Sequence, residues 1–189
     1  PEYLHYPMVP PFQPGRHFEG LLYQMPAMAI CVACLLAPVA LAVARNAIDE
    51  VKALAGVKTP LGSTVPMREK GVVQRKLGMA EALVQSSRVY LYGKIAEAWE
   101  RTLGGEKLSM EDKAGLLLAA THANQSCAKA VDLMYSAAGS SAIYTRSKLE
   151  HYYCDAQVIR QHGAMNDSRY ESAAQVYLGL NSDLPVVGF

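Results

Sequence analysis

Residues 138–162 read Ala138-Gly-Ser-Ser-Ala-Ile-Tyr-Thr-Arg-Ser-Lys-Leu-Glu-His-Tyr-Tyr-Cys-Asp-Ala-Gln-Val-Ile-Arg-Gln-His162. A long helical pattern upstream stops at Gly139, two serines follow, and a new helix begins. Ser147-x-x-Glu150 has the form of a capping box, in which the serine oxygen takes a first-turn amide and the glutamate reaches back. Apolar or aromatic side chains recur at Leu149, Tyr152, Tyr153, Ala156 and Ile159, a helical rhythm. Asp155 and His162 lie seven apart, about two turns, so they share nearly one face. The stretch therefore predicts a Gly-Ser turn followed by a helix whose far end carries a histidine.

Outward from there the chain reads as helices. Ser109 with Asp112 opens a helix that runs to about Ala138, with a stripe at Ala114, Leu117, Thr121, Ala128, Val131 and Met134–Tyr135. Before it, apolar positions from Val73 to Ala98 step by three, four or seven, which predicts a helix over 71–103 ended by Gly104-Gly105. Val57–Lys70, with two prolines and a glycine, is a loop. Ala27–Ala44 is eighteen residues without a charge, the threshold length for a membrane span. Seven of them are alanine, and neither an aromatic belt nor a cluster of basic residues flanks them, so the stretch reads as a buried helix, kinked at Pro38 and continuing to Gly56. Ser168-x-x-Glu171 predicts a short fifth helix to about Leu178. No strand alternation or repeat occurs. The expected fold is all-α, an up-down-up-down four-helix bundle over 25–180, with an extended proline-rich arm at 1–24 and a tail at 181–189.

Composition narrows the function classes. The chain has 189 residues, about one domain, with 18 basic and 17 acidic residues well mixed and 51% apolar residues. No Lys/Arg run marks a nucleic-acid or membrane partner. Four cysteines make no disulfide framework in so long a chain, and Cys31-x-x-Cys34 lies in an apolar run with no second ligand pair. The reading is two small buried side chains, no metal, and a reducing, cytoplasmic compartment. The first residue is Pro1 and the opening is rich in Pro and Tyr, so the chain is expected to be a piece of a longer protein.

The order and spacing of Gly139-Ser140-Ser141-Ala142, Leu149, Asp155, His162 and Tyr177-Leu178-Gly179-Leu180 resemble the C-terminal helical domain of the acyl-CoA dehydrogenase superfamily. Within it, the match is closest to the two-component flavin-dependent monooxygenases that hydroxylate aromatic substrates. The resemblance covers about Pro26 to Leu180. It implies a helical domain and a β domain preceding this one, a bound flavin (FAD or FMN) supplied reduced by a separate reductase, a small aromatic substrate, and a homo-oligomer built as a dimer of dimers. It also implies that the fragment alone is nearly inactive.

Five positions carry the expected site. The resemblance places a catalytic histidine at His162, facing the reactive edge of the flavin, where it hydrogen-bonds the oxygen-bearing cofactor or takes the substrate's phenolic proton. Imidazoles change charge near neutral pH, which suits either task. The plainer reading is a surface histidine at a helix C-terminus. Gly139, Ser140 and Ser141 are expected to bind the cofactor through exposed amides and hydroxyls that suit phosphate oxygens, or else form only a helix C-cap. Gln74 is the remaining cofactor-binding candidate, with a solvated first-turn glutamine as its alternative. Asp155 is expected to pair with an arginine and hold its helix. His122, Asn124 and Gln125 put polar groups in mid-helix, for a substrate pocket or an interhelical network.

Two departures from the family pattern stand out. Cys154 and His151 occupy positions where many members have arginine, which removes two potential phosphate or carboxylate donors. Arg160–Asn166 contains no carboxylate, whereas an acyl-CoA dehydrogenase needs a strong base to remove an α proton from a thioester. That rival reading, and a non-catalytic helical oligomerisation module, remain the alternatives.

Overall fold

Alanine and leucine dominate the long periodic segments, and these become helices. The computed structural model describes residues 20–25, 32–144 and 147–184. Its main elements are α1 (Ala37–Val57), α2 (Gly71–Leu103), α3 (Met110–Ala138), α4 (Leu149–Arg160) and a short α5 (Arg169–Tyr177). No strand occurs among the described residues. Most of the expected arm, and Cys31, fall outside them; the described piece at 20–25 contains a 3-10 turn at Leu21–Gln24.

Pro38 acts differently from the expected mid-helix kink. It sits at the first turn of α1, and the five residues before it, Val32–Leu36, wind as a π turn. Proline lacks an N–H and its ring crowds the carbonyl four residues back, so a wider turn relieves the clash. None of the helices searched is long and apolar enough to cross a membrane.

Helix α3 is the axis of the bundle, packing against α1, α2, α4 and α5. Three contacts set the register of the α2–α3 hairpin: Lys76 Nζ donates to Ser136 Oγ at 2.6 Å, Tyr90 meets His122 edge-on at 6.0 Å, and Arg101 pairs with Asp112 at 3.3 Å. Residue numbers rise on one helix as they fall on the other, so the two are antiparallel. At the other side, Gln157 donates to Asp132 Oδ1 at 3.0 Å and Tyr135 stacks on Tyr153 at 4.8 Å, making α4 antiparallel to α3 as well. Lys58, just past α1, reaches Ala138 at the end of α3, so α1 runs parallel to α3. This is the expected up-down-up-down arrangement.

The core between these helices is built from small side chains. Ala37, Ala40, Ala44 and Ala47 of α1 and Ala119, Ala120, Ala123 and Ala130 of α3 are all nearly inaccessible, with Ile48, Leu91, Leu116, Met134 and Leu149 filling the gaps. Small residues let helix axes approach closely and carry almost no side-chain entropy to lose on burial.

Of the three predicted capping boxes, one forms. Ser109 accepts from the Asp112 amide at 3.1 Å and the Asp112 carboxylate accepts from the Ser109 amide at 2.9 Å. At α4 the first helical residue is Leu149, which is fully buried, and Ser147 accepts only from the Leu149 amide at 3.3 Å. At α5 the Ser168 backbone is already helical, and its hydroxyl donates to Asn166 Oδ1 at 2.6 Å instead of capping.

Candidate functional site

The Gly-Ser turn lies at the end of the bundle where α1 and α3 finish and α2 and α4 begin. Gly139 has φ +60° and ψ −141°, a mirror-extended conformation open in practice only to glycine, rather than the left-handed cap expected. A Cβ placed there would meet nothing within 4 Å, so the space beside the turn is free. Gly139 and Ser140 are exposed and Ser141 is half-buried.

Sequence reading did not single out Lys58. Its Nζ donates to the Ala138 carbonyl at 2.9 Å and to Ser141 Oγ at 2.8 Å, and it has no ion pair among the described residues. A lysine two residues after a helix-ending glycine looks like loop solvation in sequence, because its partners are 80 and 83 residues away. An ammonium has three N–H donors, so one is left for a ligand beside the turn. Gln74 belongs to the same end and spends its amide on the Arg68 carbonyl at 3.0 Å, closing the entry into α2.

This end suits an anion such as a phosphate oxygen. It offers a cation without a carboxylate, two serine hydroxyls, and an open glycine turn that a side chain would crowd.

His162 lies elsewhere. It follows α4 on an exposed turn. Its amide donates to the Ile159 carbonyl at 3.1 Å, and its own carbonyl accepts from Met165 at 2.7 Å and Asn166 at 2.9 Å. The ring Nδ1 accepts from the Ala164 amide at 3.2 Å. In the neutral ring that contact puts the proton on Nε2, leaving Nε2 as a donor.

The turn is held from α3. Asn124 Nδ2 donates to the carbonyls of Ile159 at 3.1 Å and Met165 at 3.2 Å. Gln125 Nε2 donates to Arg160 at 3.2 Å and Met165 at 3.3 Å. Of the two roles open to these amides, the structure selects the interhelical network. His122 packs on Tyr90, with its Nε2 3.4 Å from Ser126 Oγ.

The two parts of the predicted site are not brought together within one chain. Asn124 marks the level of the histidine turn and Ala138 that of the Gly-Ser turn. They are fourteen residues apart on α3, about 21 Å at helical rise. Asp155 is exposed and has no arginine partner among the described residues. The arginine of α4, Arg160, instead lies 3.9 Å from Asp132.

No group of metal-binding side chains occurs among the described residues. Cys127 is buried, and desolvation pushes its thiol up to about 12, so it is no nucleophile. A separate cleft of about 210 Å³ lies at the far end of α2, beside Lys94, Glu97, Arg101, Asp112 and Tyr177. Lys94 pairs there with Glu97 at 2.6 Å and Arg101 with Asp112 at 3.3 Å, while Glu111, also in the lining, has no ion pair among the described residues.

Comparison with known proteins agrees with this architecture. Two curated relatives are indole-3-acetate monooxygenases. That of Pseudomonas putida is 30% identical over 145 residues, covering 77% of this chain and 37% of the relative. That of Acinetobacter baumannii is 28% identical over 158 residues, covering 84% and 40%. The chain thus spans about two-fifths of the length of these relatives. Among solved structures, XiaF from Streptomyces sp., in complex with FADH2 and glycerol, has a TM-score of 0.82 at 16% identity. The match covers 92% of this chain and 44% of that one, a likeness of fold. The model of the acyl-CoA dehydrogenase C-terminal domain matches residues 34–167, more than half of the sequence, and the chain belongs to that family.

Proposed function

We propose that this chain is the C-terminal helical bundle of a flavin-dependent monooxygenase that hydroxylates an aromatic substrate. The observation that carries the reading is the exposed turn after α4, which offers an imidazole and, from Arg160 to Asn166, no carboxylate. Removing an α proton from a thioester needs a strong base in that place; steering oxygen onto an electron-rich ring needs a hydrogen-bond donor or a mild base. The likeness to indole-3-acetate monooxygenases supports the same choice and makes indole-3-acetate the first substrate to try.

Reduced flavin, delivered by a separate reductase, supplies the activation of dioxygen. The chain's own residues bind and orient. Gly139, Ser140 and Ser141, with Lys58 behind them, hold phosphate oxygens. Gln74 braces the same end. His162 presents Nε2 as a donor, since Nδ1 is occupied by the Ala164 amide. That geometry favours hydrogen bonding to the reacting oxygen over taking the substrate's proton, which would require the opposite tautomer.

Within one chain the turn and the histidine lie about 21 Å apart, so two copies of the chain suit a single flavin, FAD or FMN, better than one. Leu35 in the π turn and Val39 in the first turn of α1 are 62% and 49% exposed, an apolar strip that a second copy of the chain would cover. In such a homo-oligomer one copy's turn and another's histidine can serve one cofactor.

The test uses the full-length gene product with a partner reductase. NADH-dependent oxygen consumption that yields a hydroxylated aromatic product is expected, together with no dye reduction by acyl-CoA. His162→Ala is expected to cut coupled hydroxylation at least about a hundred-fold, within the range for loss of a group acting on the reacting atoms. Dye reduction by acyl-CoA, or hydroxylation that survives the substitution, overturns the reading.

A further inference from the structure

The exposed turn that carries His162 has an unusual foundation. Asn124 and Gln125 are adjacent residues in the middle of α3, and their side-chain amides reach three carbonyls that bracket the histidine: Ile159 and Arg160 before it and Met165 after it. Ile159 and Arg160 are among the last carbonyls of α4, and of the two Ile159 also accepts from the His162 amide at 3.1 Å.

Elsewhere this stretch of α3 is packed with small side chains, with Ala120, Ala123, Cys127 and Ala128 all nearly inaccessible. Asn124 is only 1% exposed. Placing an amide there is costly unless it is hydrogen-bonded, so an apolar residue would be the cheaper filler. The orientation of this amide is fixed by its surroundings. Both contacts to carbonyls come from Nδ2, while Oδ1 has no hydrogen-bond partner among the described residues. The flipped amide would set an oxygen against two carbonyl oxygens.

The ring of His162 takes its setting from the same turn, residues 159–166. Its Nδ1 is tied to the amide of Ala164, and its carbonyl is tied to the amides of Met165 and Asn166. Fixing the carbonyls at 159, 160 and 165 therefore fixes the backbone on both sides of the imidazole.

We propose that Asn124 and Gln125 are positioning residues that act through His162, holding its turn so that Nε2 faces the reacting oxygen in one tautomer. The inference rests on the assignment of His162 given above. Each amide gives its nitrogen to two backbone carbonyls. A clasp of this kind changes the yield of productive events rather than substrate affinity, because a displacement of about 1 Å at a reacting group costs on the order of a hundred-fold in rate.

The test compares isosteric variants of the full-length gene product. Asn124→Asp and Gln125→Glu keep the shape and replace two N–H donors with acceptors that face carbonyls. The expected result is a drop of about ten- to a hundred-fold in coupled hydroxylation, with more of the consumed oxygen appearing as hydrogen peroxide and substrate KM within about two-fold. In the His162→Ala background, the same substitutions should cause no further loss, since they act through the missing ring.

Independently of turnover, 15N spectra of His162 should move from the Nε2–H tautomer toward a mixture in both variants. Should Asn124→Asp fail to fold, Gln125→Glu, at a half-buried position, carries the same prediction. A wild-type His162 spectrum in the folded variants, or an undiminished further loss in the His162→Ala background, overturns the proposal. If His162→Ala leaves hydroxylation intact, the functional assignment falls while the tautomer shift still decides whether the clasp exists.

Discussion

Two helix ends in this bundle solve one problem with opposite chemistry. At the end of α3 the Ala138 carbonyl is taken by a lysine, whose Nζ also binds Ser141. At the end of α4 the carbonyls of Ile159, Arg160 and nearby Met165 are taken by two neutral amides. Burial decides which is used. Lys58 is half-buried with water at hand, so a charged donor is tolerated there and leaves a cation facing an open turn. Asn124 is inside the bundle, where an ammonium would lose its hydration without gaining a counter-ion. The first arrangement suits a site that attracts an anion; the second suits one that must stay still.

The comparison can be broken most sharply at Gly139. Gly139→Ala forces a methyl-bearing residue into a glycine conformation with no clash to relieve, so the cost is backbone strain of about 1–3 kcal/mol. Urea denaturation should show that loss. Unchanged stability would mean that the turn adopts an ordinary cap and is not a preformed cradle.

A smaller effect is expected at Lys58. Lys58→Met keeps most of the stem and removes both donated bonds, which should cost about 1–2 kcal/mol. It should also weaken flavin binding to the full-length protein by about ten-fold, measured by fluorescence titration. Stability loss with unchanged flavin affinity would leave Lys58 as a helix cap alone and erase the contrast drawn above.

The smallest effect concerns Asp132, the titratable group on the amide-held side. Burial raises its carboxyl above the ordinary range, opposed by Arg160 and the hydrogen bond from Gln157. The folded chain therefore holds this proton more tightly than the unfolded chain. Its contribution is most favourable below the ordinary carboxylate range and declines as pH rises through the raised folded value. Asp132→Asn should flatten that slope and leave stability at neutral pH equal or slightly higher, by less than about 1 kcal/mol. A clear loss at neutral pH would show that the Arg160 contact at 3.9 Å outweighs burial.

How far the sequence led depends on whether a signal was local. The bounds of α2 follow from Lys70-Gly71 at one end and Gly104-Gly105 at the other, and they match residue for residue. The box at Ser109 forms because nothing competes for its hydroxyl. Those at Ser147 and Ser168 fail because a buried Leu149 sets the start of α4 and Asn166 captures the second serine. His162 and the Gly-Ser turn could be named as candidates only through the family resemblance. That one chain holds them about 21 Å apart could not, since helix packing sets that distance. Asn124 and Gln125 were visible as polar interruptions, but their partners, 35 to 41 residues away, were not.

The alanine faces of α1 and α3 have a mechanical consequence. Methyl groups have no rotamers to trade, so a seam lined with them cannot absorb a disturbance by local rearrangement. A push applied to α1, by a neighbouring copy seated on Leu35 and Val39, would travel to both termini of its partner as a rigid shift. A bundle built this way would keep the Gly-Ser turn and the histidine turn in step even when it is deformed.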